Sequence, residues 1–182
     1  MLHRMRQYDQ IHSERAGVDS ASVPSPHGST LTGCNPTDRG KLGCKHHLIV
    51  DQRGLPLVVQ ISGANVHGSQ LLRPLINALP LVAGLSGHPR RRPDKLHADK
   101  GYDYACYRRW LRQRGITQRI ARRGQESRER FGRYRWVVER TIGWLHWYRR
   151  LRIRYERRAE MHLAFLCLAC SLICWRFIQR FC

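Results

Sequence analysis

The sequence runs to 182 residues, and its 33 lysines and arginines face only 13 acids, for a formal net charge of +20. A chain of that size buries a hydrophobic core of its own. Its charge excludes a protein indifferent to polyanions, and nucleic acid is the leading partner. Seven cysteines, an odd number, argue against a fully paired disulfide framework.

In chain order, AGVDSASV (16–23) forms a short β-like run around Asp19, and residues 24–42, rich in turn formers, read as a loop. KHHLIVDQRGLPLVVQISG is a hairpin: an apolar arm, the turn residues DQRG, and a second apolar arm whose Pro56 predicts a start without a strand partner. His46 and His47 read here as strand residues, not ligands. Ser69 is placed to cap a helix with Leu71, Leu72, Leu75, Ile76 and Leu79 on one face, bent by Pro74. A basic loop, GLSGHPRRRP, leads to the strand KLHAD (95–99), the turn GYD, the helix YACYRRWLRQRG and the strand ITQRIA.

Residues 122–133, polar and bracketed by glycines, predict a mobile basic loop, and 133–158 one long helix crowded with arginine and tryptophan. A final apolar helix begins at Glu160 and fills 160–182. Its continuous apolar run spans ~14 residues, short of the ~20 that cross a bilayer, so it reads as a core helix rather than an anchor. Cys167, Cys170 and Cys174 inside it read as small buried hydrophobes rather than zinc ligands. A hairpin followed by alternating strands and helices predicts an α/β domain, 1–182, with a mixed sheet flanked by helices.

With so few acids, each can be weighed. Asp19 sits within the first strand, Asp99 at the carboxyl end of a later strand where ligands gather, and Glu139 on the long helix. Three converging carboxylates repel one another unless a hard cation lies between them, and oxygen-only donors point to Mg²⁺ or Mn²⁺. On the helix, Arg135, Gly143 and His146 fall within about 40° of Glu139. Val137, Thr141, Trp144, Tyr148, Leu151 and Tyr155 form a second stripe, read as the packed face. Spacing alone favours an ordinary Arg135–Glu139 pair worth a few tenths of a kcal/mol. Asp38, Asp51 and Asp103 read as turn or cap residues.

Four ordered motifs, VDSAS, NPTDRGKLGCKHHLIVDQRGLPL, ADKGYD and RWVVERTIGWLHWYRRLRIRYE, resemble the DDE transposases of bacterial insertion sequences, family five within the four/five superfamily. The likeness covers nearly the whole chain. It implies an RNase H-like fold and a DNA transposase that cleaves and joins insertion-sequence ends with divalent metal. It also implies that Asp19, Asp99 and Glu139 are the catalytic, metal-holding acids. By the same likeness Arg135 matches the basic residue ahead of the Glu, while His146 stands where the family commonly carries lysine.

The resemblance implies duplex DNA as partner, a homo-oligomer on that DNA, action at the bacterial nucleoid in the cytoplasm, and no membrane. Lys41, Lys45, Lys100, Arg133, Arg135 and His146 are the candidate phosphate contacts. Such transposases carry an N-terminal helical region ahead of the first Asp, whereas here only 18 residues precede Asp19. A separate N-terminal portion is therefore expected as a partner. The alternative is a non-catalytic DNA-binding fragment that modulates an intact transposase.

Overall fold

The computed structural model describes residues 2, 5, 11, 12, 14–81, 92–122 and 128–179, with 128–135 described by backbone only. Among the described residues, the elements run in chain order β1 (Arg15–Pro24), β2 (Gly33–Cys34), β3 (Leu42–Asp51), β4 (Pro56–Gly63), α1 (Leu72–Asn77), β5 (Lys95–Ala98), α2 (Ala105–Gln113), β6 (Thr117–Ile120), α3 (Arg128–His146), α4 (Arg149–Arg152) and α5 (Ala159–Gln179).

The sheet runs β4-β3-β1-β5-β6, with two-residue β2 sharing the outer edge of β3. β3 pairs antiparallel with both β1 and β4, whereas β5 and β6 run parallel to β1, so the sheet is mixed. The parallel pairs need crossovers, and α1 and α2 supply them. This order, with helices on both faces, is the RNase H-like arrangement that the resemblance implied.

Strand periodicity sorts the core into two layers. Ala16 and Val18 of β1 and Leu96 and Ala98 of β5 pack with Leu72 and Leu75 of α1 and Leu111 of α2. On the opposite face Leu48, Val50 and Ile61 meet Val137, Val138 and Leu145 of α3 and Leu166 and Ile173 of α5. β3, central and covered on both sides, is buried over nearly its whole length, which is why its run reads as continuously apolar rather than alternating. Asp51 closes the hairpin: its Oδ1 accepts the backbone N–H groups of Arg53 and Leu55.

Several expectations need correction. Pro56 does have a partner, Val50, across an irregularity in the register. The segment before α1 opens with a 3-10 turn capped by His67, whose ring accepts from the Ser69 N–H, so Ser69 is not the cap. The loop over 24–42 contains β2. Of the predicted mobile loop at 122–133, residues 123–127 lie outside the described residues, and from Arg128 onward the backbone is helical.

The long helix is not continuous either. It ends at His146; Tyr148 is extended, α4 lasts four residues, and Ile153 is extended again. Beyond α4, the chain is held by Arg154, fully buried. Its N–H donates to the Pro24 carbonyl at 2.8 Å, and its guanidinium donates to Ser29 Oγ at 2.6 Å and the Thr30 carbonyl at 2.8 Å. A helix through 153–158 would forfeit these bonds. Finally, α5 lies close to where it was expected, but its 21 residues are, by length and composition only, long and apolar enough to cross a membrane, which its ~14-residue run had not suggested. One face of it packs on the sheet through Leu166, Ala169, Cys170 and Ile173.

Candidate active site

Asp19 lies in β1 opposite Leu48 of β3, and its Oδ1 accepts the Ser20 N–H at 2.8 Å. Asp99 follows the last residue of β5 and caps the turn Lys100–Tyr102, accepting the Lys100 N–H at 2.6 Å. Each carboxylate is thus oriented by the next residue's backbone. The parallel register pairs Arg15 with Lys95, Ala16 with Leu96 and Gly17 with His97. Two residues further along both chains, Asp19 and Asp99 come side by side, both leaving the sheet on the face of Gly17 and His97.

Tyr102 reports the same proximity from the other side. Its phenol is buried, and burial first, then the charges of Asp19 and Asp99, push its pKa upward. The hydroxyl stays protonated beside two acids. Sequence reasoning quoted Tyr102 only as part of a motif; its place directly after Asp99 in ADKGYD was the available signal.

Gly17 admits the helix that carries Glu139. A Cβ built on Gly17 would sit 3.3 Å from Val138 Cβ, so the absent side chain lets α3 lie against β1. The helix runs in the direction of β1: Val138 meets Gly17, and two turns later the His146 ring lies 6.3 Å from that of His46, the partner of Ala21. Its rotation is fixed by the hairpin turn, where Thr141 Oγ1 donates to the Gly54 carbonyl at 2.8 Å and Arg140 to the Arg53 carbonyl at 2.5 Å. Val137 and Thr141 face that turn on the β3–β4 side. Glu139, about 200° around the helix from Val137, therefore turns toward the β5 side and is exposed there.

The register thus brings Asp19 and Asp99 to one face of the sheet, the face on which the helix bearing Glu139 packs. Their oxygens are not drawn into one tight knot: among the described residues, the group of ligand atoms lying within 4.8 Å of one another is Cys44, His46 and His162. Two aspartates and a glutamate offer hard oxygen donors alone, which fits Mg²⁺ or Mn²⁺ and not a thiophilic metal.

The expected phosphate contacts divide. Lys41 and Lys100 are exposed. Lys45 donates its Nζ to the Val66 carbonyl at 2.7 Å, and burial lowers its pKa. The side chains of Arg133 and Arg135 lie outside the described residues. His146 is half-buried, and burial, then Arg152, push its imidazole below the usual range. It offers a neutral ring at pH 7, not a cation in lysine's place.

Two basic features escaped notice. Arg149, Arg150 and Arg152 line a cleft of about 750 Å³ with Ile153 and Tyr155; the run RRLRIRY was its signal. The Arg140 guanidinium lies between two indoles, 4.4 Å from the Trp136 ring and 4.6 Å from that of Trp144. Trp136 and Trp147 are exposed, at 47% and 83%, so core packing does not account for them.

Residues 15–174 match the family described as "Transposase DDE domain". The chain is 54% identical over 153 residues to the transposase for insertion sequence element IS402 of Burkholderia cepacia, covering 84% of this chain and 72% of that one. It is 32% identical over 147 residues to the transposase for insertion sequence element IS1106 of Neisseria meningitidis serogroup B, covering 70% of this chain and 46% of the relative. Among solved structures there is a loose likeness to the catalytic core domain of BIV integrase, with 15% identity, 74% and 67% coverage of the two chains and a TM-score of 0.39.

Proposed function

The chain belongs to the transposase DDE domain family and is a DNA transposase, and from that premise we propose that Asp19, Asp99 and Glu139 hold its divalent metal and carry its catalysis. The observation that supports this is the β1–β5 register, which runs Asp19 up to Asp99 on the face where Gly17 admits the helix bearing Glu139. When bound, the metal, Mg²⁺ or Mn²⁺, makes a water or a 3′-hydroxyl a competent nucleophile and stabilises the leaving oxygen.

The chain's own residues do the rest. The Ser20 and Lys100 N–H groups orient the two aspartates, and Tyr102 remains an uncharged wall behind them. Lys41 and Lys100, with Arg133 and Arg135 on α3, contact DNA phosphates; each contact adds about 0.9 to the magnitude of the salt slope on duplex DNA. His146 contributes shape rather than charge. The substrates are the element's ends and a target duplex in the nucleoid. More than one copy of the chain assembles on the paired ends.

The test is strand cleavage of DNA carrying the element's ends, with Mg²⁺, by purified protein. Asp19→Asn, Asp99→Asn and Glu139→Gln should each lower cleavage by about 10²–10³-fold, the scale of losing one group that stabilises transition-state charge. DNA binding in a gel shift should persist. Full cleavage by any of the three variants would refute the assignment of that residue, and binding without cleavage by the wild type would favour a non-catalytic fragment.

A further inference from the structure

One buried cluster has no part in the chemistry above. Cys44 and His46 are two residues apart on β3, so both side chains leave the same face of the sheet. There α5 brings His162 against them. Ligand atoms of the three lie within 4.8 Å of one another, and the residues are 0%, 2% and 0% exposed.

The Nε2 atoms of His46 and His162 are 2.8 Å apart, and His162 Nδ1 lies 3.0 Å from Glu156 Oε2. The carboxylate fixes the tautomer: with its proton on Nδ1, His162 turns an Nε2 lone pair toward the cluster. A carboxylate behind a histidine in this way is the usual outer support of a metal-ligating imidazole. His46 Nδ1 is buried with no hydrogen-bond partner, so hydrogen bonding within the cluster leaves it incompletely satisfied. Burial raises the Cys44 thiol, while the adjacent Arg154 charge favours the thiolate.

We propose that Cys44, His46 and His162 bind one zinc ion that clamps β3 to α5. One thiolate and two imidazoles suit a borderline-soft ion rather than Mg²⁺, and full burial makes the site structural. Tetrahedral coordination at about 2.0–2.1 Å holds two nitrogens about 3.3 Å apart, so the imidazoles part by about half an ångström from their present contact. On binding, the Cys44 thiol releases its proton to solvent and the His46 proton passes from Nε2 to Nδ1. The fourth position falls to water or to His146, whose Nε2 is buried without a hydrogen-bond partner. The clamp braces the strand that pairs with β1: His46 faces Ala21, and Leu48 faces Asp19.

Zinc content is read on the protein without DNA, so this site stands or falls separately from the three acids. Elemental analysis of the full chain, loaded with zinc and dialysed, should find one zinc per chain in the wild type and in Cys170→Ser. In Cys44→Ala and His162→Ala it should fall below about a tenth of that. X-ray absorption on the zinc-loaded wild type, which requires no variant to fold, should show one sulfur at about 2.3 Å with nitrogens at about 2.0–2.1 Å. A wild type that retains no zinc, undiminished zinc in Cys44→Ala, or a shell with no sulfur or several would overturn the proposal.

Discussion

At the level of single residues, Gly17 and Arg154 carry more of the architecture than their types suggest. Gly17 is where β1 and α3 touch, with Val138 Cβ 3.3 Å from where its own Cβ would lie. Gly17→Val forces the helix away from the strand, a form of overpacking that costs about 1–3 kcal/mol. It also carries Glu139 away from Asp19. Cleavage should therefore fall well below what the folded fraction in a urea melt accounts for; a loss no larger than that fraction would show that the contact is merely structural.

Arg154 is a buried cation satisfied by carbonyls and a hydroxyl of the 29–31 loop. Truncation to alanine leaves those acceptors unpaired and a cavity, for an expected loss of about 2–4 kcal/mol. Arg154→Lys should recover little of it, because an ammonium lacks the planar fork that reaches several acceptors at once. Chemical denaturation of the three proteins measures both effects, and equal stability of Arg154→Lys and wild type would contradict the account.

At the level of elements, the hairpin and most of the strands were legible because their signals are local, whereas β2 and the strand order were not. The turn DQRG between two apolar arms fixed the hairpin, and KLHAD, GYD and ITQRIA lie where the sequence put them. The break in the long helix was not legible. Past α4 the chain is held by bonds from Arg154 to a loop more than 120 residues earlier, and an arginine in a basic helix carries no mark of burial. His46 is the strand residue the sequence predicts, but its contact with His162, 116 positions away, was illegible for the same reason.

The buried thiols of α5 give a prediction at this scale. Burial, then the Asp51 charge, push Cys174 up to about 12, and burial also raises Cys170. Folded thiols keep protons that the unfolded chain loses above its usual value near 8.5. Their stabilising contribution is therefore complete below that value and is lost as pH rises from about 9 toward 12, on the order of a kcal/mol per thiol per pH unit. The urea midpoint should drop between pH 8 and 10.5, and by less in a Cys170→Ala, Cys174→Ala double variant. An equal drop in both proteins would contradict the assignment.

At the level of the whole molecule, a parallel register carries Asp19 and Asp99, 80 residues apart, to one face of the sheet, and the helix bearing Glu139, 40 residues further on, packs against that face at Gly17. The proposed role of these acids rests on resemblance, since spacing alone favoured an ordinary ion pair for Glu139. Net charge pointed to a polyanion without saying what is done to it. The most direct test of the convergence loads the metal site with Fe²⁺ and adds ascorbate and peroxide, so that hydroxyl radicals cut the backbone beside the bound ion. Cuts near Asp19, Asp99 and Glu139 together, all suppressed by excess Mg²⁺, are the predicted result; cuts confined to one of these segments, or unaffected by Mg²⁺, would contradict it.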